Sequence, residues 1–440
     1  MTGATAVAPS RRDRLASRWV LAGLIVLAVG LVAMLVQRQL PFSPYDEYVY
    51  FDYLTKVPTQ GTVATGEEVG DAARAELECR GVSSFGPYGD GCGVGDVADD
   101  ALFPYHGLTG ADIYSPVYFA ITWVAAQPLT WLGVGLLDAG RAVGGLWLAA
   151  TVALIFLSLR RLGVALAPST GITLVVLATP VVQSAFGYIS TDAAAITAGA
   201  ALAYVTARIL TGSTSVWWLL PIGVLGVLAK VHAIGALGAA LLIVAIHTML
   251  VHGGWRDRRT WLRVMLPAVA AGVAAMGAQL VWTFVRSSRA VGEGAQLGVG
   301  TPELPPDQLL RQLAHVVVHV GATRPVEATA SATLAVALAT AVACAGLLSA
   351  IVGRSGEPDE SAKVARSWAI GTLTLGMIMI PVLTLMVFVL EGIYFDPPLR
   401  YGAALLPFLL IAAGSLLAHS RWIGVALGAA SLVLVVLAWT

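Results

Sequence analysis

Long apolar segments divide this chain, and their length restricts the possible fold more than any other feature. The first segment, Trp19–Val36, has 18 residues without a charge, enough to cross about 30 Å of hydrocarbon as a helix. Further apolar segments run at 113–135, 138–159, 166–186, 190–210, 215–229, 231–250, 261–284, 328–353, 367–390, 400–418 and 421–439. The pattern predicts an all-α, polytopic transmembrane helical bundle that forms a single integral membrane domain over residues 1–440.

Composition agrees with this prediction and excludes several classes of protein. Hydrophobic residues make up 57% of the chain, charged residues 12%, and the mean hydropathy is +0.79, which excludes an ordinary soluble protein. The formal net charge is +0 and there is no basic tail, so nucleic acid is not expected as a partner. CxxC, HExxH and P-loop patterns do not occur, so a metal cluster or ATP-driven chemistry has no support.

Charge asymmetry predicts the orientation of the segments. Arg11, Arg12, Arg14 and Arg18 precede the first segment and predict a cytoplasmic N-terminus, because Lys/Arg-rich flanks stay inside. No small-residue cleavage site follows, so this segment is interpreted as an uncleaved helix. The connectors rich in Arg or Lys, which are expected inside, are 160–161, 255–263, 354–366 and 419–422.

One segment breaks the resulting alternation. Segment 113–135 contains Pro116 and Pro128. If it crossed the membrane once, the connectors rich in Arg or Lys would not all lie on the cytoplasmic side. It is therefore expected to lie along the outer interface or dip into it, which leaves about eleven spans and an outer C-terminus. The outer face then receives a large first loop at 39–112 with the acidic motif, a second loop at 286–326, and the turns 187–192, 230–232 and 391–400. A multi-pass cell-membrane protein with an extracytoplasmic functional face is predicted.

The acidic motif Pro44-Tyr45-Asp46-Glu47-Tyr48 directly follows the first segment. One interpretation is an interfacial aromatic belt with solvated acids. The other is a general base at the membrane surface, where partial desolvation tunes a carboxylate to take a proton from a hydroxyl. The sequence leaves both open, and it leaves open whether Asp46 or Glu47 is the base. On the second interpretation, Tyr48–Tyr53 is expected as a helix lying on the membrane surface.

Three more charged positions fall at the ends of later segments. Asp192 opens the 190–210 helix, where it can complement the helix dipole or bind a divalent cation or a sugar hydroxyl. Arg400, followed by Tyr401, can snorkel or bind a lipid-linked phosphate through its planar guanidinium. Lys230 separates two apolar segments, where a charge is costly and often functional.

Other residues with chemical potential lie in the two outer loops. Cys79 and Cys92 share the first loop and are predicted to form a disulfide if that loop is outside. In the second loop, a helical stretch from Asp307 to Val320 carries His315 and His319 at i, i+4 spacing. Without a third ligand nearby, surface or packing roles are favoured for these two histidines over a metal pair.

As an ordered set, these motifs resemble the GT-C glycosyltransferases over residues 19–410. The set comprises the acidic pair, the large loop, Tyr-Ser-Pro-Val-Tyr-Phe at 114–119, the Asp opening a helix, the Lys between spans, and Arg-Tyr before Pro407. The nearest members would be the protein O-mannosyltransferase-like and aminoarabinose-transferase-like enzymes. Ser115 stands where that family usually has Pro, and the chain ends at its last span without the soluble C-terminal domain of many relatives.

The resemblance implies an inverting transfer of a sugar from a polyprenyl-phosphate donor, at the outer face of the membrane, to a saccharide, lipid or protein acceptor. Asp46 would be the base, Asp192 a second acid and Arg400 a ligand of the donor phosphate. Residues expected to contact substrate also include Tyr114, Tyr118, Lys230 and Tyr401, and a divalent cation is left open as a cofactor. The alternatives are a transporter or flippase of a lipid-linked saccharide and a noncatalytic membrane assembly subunit.

Overall fold

A computed structural model describes residues 11–38, 41–82, 92–93, 99–100, 103–252, 257–295, 300–325, 327–353, 359–418 and 420–439. Parts of the predicted loops 39–112 and 286–326, and of the connectors 255–263, 354–366 and 419–422, lie outside the described residues. Within those residues the fold is all-α, as the sequence predicts. Its β-structure there is limited to isolated bridges at Phe42–Val82, Glu68–Leu108 and Thr301–Tyr394.

The helices follow the apolar segments closely. They are α1 (Arg11–Arg38), α2 (Glu47–Gln60), α3 (Asp71–Arg80), α4 (Val117–Trp131), α5 (Leu136–Arg161), α6 (Leu166–Ala178), α7 (Pro180–Phe186), α8 (Thr191–Leu210), α9 (Leu219–Ala229), α10 (Ala233–His252), α11 (Arg258–Ser288), α12 (Pro306–Gln312), α13 (His315–Val318), α14 (Ala330–Val352), α15 (Glu360–Glu391), α16 (Leu406–Ala412), α17 (Gly414–Leu417) and α18 (Arg421–Trp439). Short 3₁₀ helices occur at Pro104–Gly107, Ala111–Ile113, Val216–Trp218 and Leu399–Leu405.

The described residues contain nine helical stretches long and apolar enough to cross a membrane, or ten if the pair α6 and α7, bent by 67°, is one span. One of the nine is Leu399–Leu417, which joins a 3₁₀ helix, α16 and α17. The predicted count of eleven, and with it the outer C-terminus, is not confirmed. The predicted span that has no counterpart among these ten is 215–229. There, α9 and the preceding 3₁₀ turn cover only Val216–Ala229. α4, in the segment expected not to cross once, has 15 residues and extends only about 22 Å.

The centre of the bundle is α8, which packs against α5, α9, α10 and the 3₁₀ helix Leu399–Leu405. Two glycines allow backbones to touch here. A Cβ at Gly199 would overlap the carbonyl oxygen of Ala404, and one at Gly144 would overlap that of Phe186. Interiors are packed too densely to absorb such an overlap. The first contact therefore fixes how closely α8 approaches the Leu399–Leu405 helix.

The segments predicted to share the outer face meet at one end of the bundle. We call this end the loop face, and it comprises residues 41–82, 103–116, 187–192, 228–232, 286–295, 300–325 and 394–401. Its segments are joined by the hydrogen bonds Ile189 N to Glu47 Oε1 (2.9 Å), Ser115 Oγ to Leu228 O (2.6 Å), Val291 N to Thr65 O (2.9 Å), Thr301 N to Tyr394 O (2.8 Å) and Arg324 Nη2 to Tyr45 OH (3.1 Å). Its position on the outer side of the membrane stays a prediction.

Two local predictions differ from the structure. The stretch Tyr48–Tyr53, expected as a helix lying on the membrane surface, is helical but buried throughout under the rest of the loop face. The helix expected from Asp307 to Val320 is interrupted between α12 and α13, because Ala314 adopts a left-handed conformation with φ of 65°. His319 Nδ1 lies 3.3 Å from the carbonyl oxygen of His315.

The first loop is fastened to the bundle by covalent and ionic contacts. Cys79, near the end of α3, is disulfide-bonded to Cys92, 13 residues later. The neighbouring Arg80 makes a bidentate ion pair with Asp138 in the first turn of α5, at 2.8 and 2.9 Å. Both contacts add to the apolar packing of α3, whose Leu77 is buried in one cluster with Phe42 and Phe103.

We expect Cys79 and Cys92 to be oxidised in protein taken from the membrane. A cross-link stabilises a loop chiefly by restricting its unfolded chain, and such bonds persist on the outer side of a membrane. Mass spectrometry after alkylation without reduction should find both thiols blocked from alkylation, while Cys344, which is free in the structure, serves as the alkylated control. Alkylation of Cys79 and Cys92 in most molecules would contradict the prediction.

Candidate active site

Four charged side chains meet on the loop face. The Asp46 and Asp192 carboxylates are bridged by the Arg400 guanidinium, whose Nη2 and Nη1 lie 3.3 Å from Asp46 Oδ2 and Asp192 Oδ2. Lys230 Nζ lies 2.7 Å from Asp192 Oδ1. We call these four residues the charged cluster. The sequence singled out all four, from positions as far apart as 46 and 400, and the structure brings them together.

Asp46 owes its position to an unusual backbone conformation. It precedes α2 with φ of 62° and ψ of 5°, the left-handed region that non-glycine residues seldom occupy and that Asp and Asn tolerate best. Strain of this kind concentrates at functional sites. The side chain is 33% exposed, so its carboxylate is paired yet open to an incoming group.

Asp192 lies in the first turn of α8, where Ser190 caps the helix by accepting a hydrogen bond from Asp192 N at 3.2 Å. Its partner Lys230 lies at the break between α9 and α10, with a side chain only 1% exposed. Lys230 Nζ also donates to Thr191 Oγ1 at 3.1 Å. A buried ammonium ion requires such partners, because its desolvation is otherwise too costly.

The Arg400 guanidinium is largely buried yet incompletely paired. Its Nε atom is buried and has no hydrogen-bond partner in the described residues. Most buried donors in proteins are satisfied, so an unsatisfied Nε marks Arg400 as a candidate functional group. The cluster holds two acids and two cations, and therefore has no net charge without a ligand.

Tyrosine rings surround the two cations. The Arg400 guanidinium lies 4.9 Å from the ring centre of Tyr45 and 5.8 Å from that of Tyr401, and Lys230 Nζ lies 5.3 Å from that of Tyr114. Tyr50 OH donates to Tyr114 OH at 2.9 Å. Burial raises the pKa of both hydroxyls, so they remain protonated. The rings place cation–π contacts and neutral hydroxyls around the cluster.

Two of the predicted site residues, Tyr118 and Glu47, lie outside the charged cluster and contact the segments that carry it. Tyr118 OH accepts a hydrogen bond from Ser190 N at 3.0 Å and so holds the turn that precedes Asp192. Glu47 is fully buried and forms an ion pair with Arg141 at 2.8 Å. The structure thus separates the two acids of the motif, with Asp46 in the cluster and Glu47 in a buried ion pair.

His232 lies beside the charged cluster and was not singled out from the sequence. Its ring centre lies 3.9 Å from that of Tyr401, and its Nδ1 is buried without a hydrogen-bond partner among the described residues. Burial, and next the Lys230 charge, lower the pKa of His232 to about 3. The imidazole is therefore neutral at physiological pH. Its place two residues after Lys230 was the signal that could have found it.

This neutral histidine should make stability depend on pH. Its pKa is depressed on folding, so the unfolded chain binds the extra proton first and stability falls as pH decreases from about 6.5 towards 3. The slope should reach about 1.4 kcal/mol per pH unit. His232→Asn should flatten it, as measured by melting of the purified protein between pH 8 and pH 4.5. The exposed His106 offers the control His106→Asn, and equal slopes in wild type and His232→Asn would contradict the assignment.

Among the described residues no group of three or more His, Cys, Asp or Glu side chains is arranged to hold a metal ion. Asp46 and Asp192 instead pair with Arg400 and Lys230.

Comparison with solved structures finds a similarity that comparison with sequences does not. No family profile matches the chain, and no curated protein matches it. Among solved structures, the chain is similar to the crystal structure of ArnT from Cupriavidus metallidurans in the apo state, with 14% identity, a TM-score of 0.39, and coverage of 92% of this chain and 78% of that one. On the evidence of its own helices, the chain is a multi-pass membrane protein.

Proposed function

We propose that this protein is a glycosyltransferase that moves a sugar from a polyprenyl-phosphate donor to an acceptor hydroxyl at the outer face of the membrane. The observation that carries the proposal is the charged cluster, in which Arg400 bridges two carboxylates while its Nε remains an unused buried donor. The ordered motifs that resemble the GT-C glycosyltransferases supply the sugar and the lipid carrier.

Donor binding is assigned to the two cations. A guanidinium binds phosphate through two parallel N–H bonds, and Arg400 has Nε free for one of them. Its present contacts to Asp46 and Asp192 are long, at 3.3 Å, so a phosphate can replace one of them at small cost. Lys230 contributes a second positive charge beside it. A phosphate bound here would satisfy Arg400 and release the Asp46 carboxylate for chemistry.

The reaction is a single displacement. The Asp46 carboxylate takes the proton of the acceptor hydroxyl, and the acceptor oxygen forms a bond to the anomeric carbon. The bond from that carbon to the phosphate oxygen breaks on the opposite side, and polyprenyl phosphate leaves with the electron pair. One displacement inverts the anomeric configuration. Arg400 and Lys230 stabilise the charge that develops on the leaving phosphate.

Asp192 and the surrounding tyrosines are assigned to the sugar. Asp192 is held by Lys230 and Arg400 at the base of the cluster, where its oxygens can accept hydrogen bonds from sugar hydroxyls. Tyr114 OH accepts from Tyr50 OH and keeps its own proton, which it can donate to the same substrate. The donor lipid would reach these groups from the bilayer, and the acceptor is proposed to be a saccharide, a lipid or a protein.

The proposal is tested by reconstituting the wild type in liposomes with a polyprenyl-phosphate-linked sugar and a mixture of candidate acceptors. We expect sugar to become attached to an acceptor with release of polyprenyl phosphate. Movement of intact donor between leaflets without its consumption would indicate a flippase or transporter instead. Neither consumption nor movement would favour an assembly subunit.

A further inference from the structure

Glu47 and Arg141 form the most buried ion pair on the loop face, and the proposed reaction does not use it. Both side chains are 0% exposed. Arg141 Nε and Nη2 donate to the two Glu47 oxygens at 2.8 Å each. The guanidinium also lies over the rings of Phe42 and Tyr188. Burying a charge to this degree carries a large desolvation cost. The contacts of the pair therefore indicate its role.

The Glu47 carboxylate joins two segments that are far apart in sequence. Its Oε2 accepts from Ser43 N at 2.8 Å, in the loop that leads to Asp46. Its Oε1 accepts from Ile189 N at 2.9 Å, in the turn that leads to Asp192. Four hydrogen bonds from three residues thus occupy both oxygens, which leaves Glu47 poorly suited to take a proton from a substrate.

Arg141 completes the connection from a third element. It projects from α5 and donates through Nη2 to the carbonyl oxygen of Pro41 at 2.8 Å, at the start of the same loop. The pair therefore holds the loop before Asp46, the turn before Asp192 and α5 in one arrangement. Since Asp46 directly precedes Glu47 in a left-handed conformation, a shift of Glu47 would move the Asp46 carboxylate.

We propose that Glu47 and Arg141 are positioning residues, which fix the Asp46 carboxylate relative to Asp192 and Arg400. This inference rests on the proposed function for its effect on rate, and on the structure alone for its effect on the two segments. A misplacement of about 1 Å at a reacting group costs on the order of 100-fold in rate. The pair is thus expected to influence turnover without contact to substrate.

Single substitutions are poor tests, because each leaves one buried charge without its partner and can unfold the protein. The double variant Glu47→Leu/Arg141→Met removes both charges at similar volume and should remain folded. We expect its kcat to fall on the order of 100-fold with little change in KM. Arg141→Lys, which keeps the charge but loses the bidentate fork, should retain part of the activity.

Hydrogen exchange in nanodiscs gives a readout independent of activity. In the double variant the amides of Ser43 and Ile189 lose a charged acceptor and should exchange about tenfold faster, the ratio expected for such a bond. The control Arg80→Met/Asp138→Leu removes a partly exposed ion pair and should leave both amides and kcat near wild type. If the wild type transfers no sugar, the proposed function is refuted. The exchange rates would still test whether Glu47 and Arg141 hold the loop before Asp46 and the turn before Asp192 together.

Unchanged exchange at Ser43 and Ile189 in the folded double variant would overturn the proposal. Faster exchange with an unchanged kcat would also overturn it, because the pair would then be structural alone. Faster exchange together with a reduced kcat supports it. Combining the double variant with Asp46→Asn separates the roles further. If the ion pair acts through Asp46, its removal should lower kcat little in a protein that already carries Asp46→Asn.

Discussion

Replacing Asp46 with asparagine is expected to lower the rate of sugar transfer by about 10²–10⁴-fold, the usual contribution of a positioned general base. An acceptor hydroxyl is a poor nucleophile at neutral pH, and an amide cannot take its proton. Asparagine is the suitable replacement because it shares the tolerance of aspartate for the left-handed backbone that Asp46 adopts. The loss should therefore appear in kcat, with folding and donor binding largely retained.

The assay measures transfer from a polyprenyl-phosphate-linked sugar in liposomes, with melting temperature as the check on folding. Asp71→Asn is the matched control, because Asp71 is an exposed acid of the same loop and should be silent. Glu47→Gln tests the alternative base, and its melting temperature should fall since Arg141 loses its counter-charge. Full activity in both Asp46→Asn and Glu47→Gln would exclude carboxylate catalysis at this motif.

Replacing Arg400 with alanine should weaken donor binding. The variant loses a charge-assisted phosphate contact of about 1.5–3 kcal/mol, equivalent to about 10- to 150-fold in affinity. It also leaves Asp46 and Asp192 without the cation that separates them, which further disfavours an anionic ligand. Arg400→Lys should recover part of the loss, because it restores the charge but not the planar fork.

Binding is measured with polyprenyl phosphate lacking a sugar, titrated into the protein in nanodiscs. This probe separates phosphate recognition from the chemistry of transfer. Arg311→Ala is the control, since Arg311 is exposed and pairs with Asp307 on α12. Equal affinity of wild type and Arg400→Ala for the phosphate would remove Arg400 from the donor site, whatever the effect on transfer.

Much of the fold was predictable because membrane helices are long and apolar. The predicted segments match the observed helices, and the loop face gathers the segments that charge asymmetry assigned to one side. The number of spans was not predictable, because segments such as 215–229 are apolar yet too short as helices to cross about 30 Å. The bend between α6 and α7 was also missed, although Pro180 stands at the first position of α7, where proline commonly starts a new helix.

In the site, the sequence identified charges but not their partners. Asp46, Asp192, Lys230 and Arg400 were visible because a charge at the end of an apolar segment is costly. The sequence did not show that Glu47 points away from the charged cluster. Its direction depends on the left-handed backbone of Asp46 and on Arg141, which comes from a helix distant in sequence. Arg141 stands within the apolar segment 138–159, and a charge inside a span was the overlooked signal of a buried partner.

The contact between Gly199 and Ala404 has a consequence for how such a site can diversify. Because two backbones touch there, the spacing between the helices that carry Asp192 and Arg400 cannot be adjusted by exchanging one side chain for another. The spacing of these two helices is therefore a fixed property of the fold. Adaptation to larger or smaller substrates would then arise around Tyr45 and Arg324, where side chains form the contacts and can be exchanged singly.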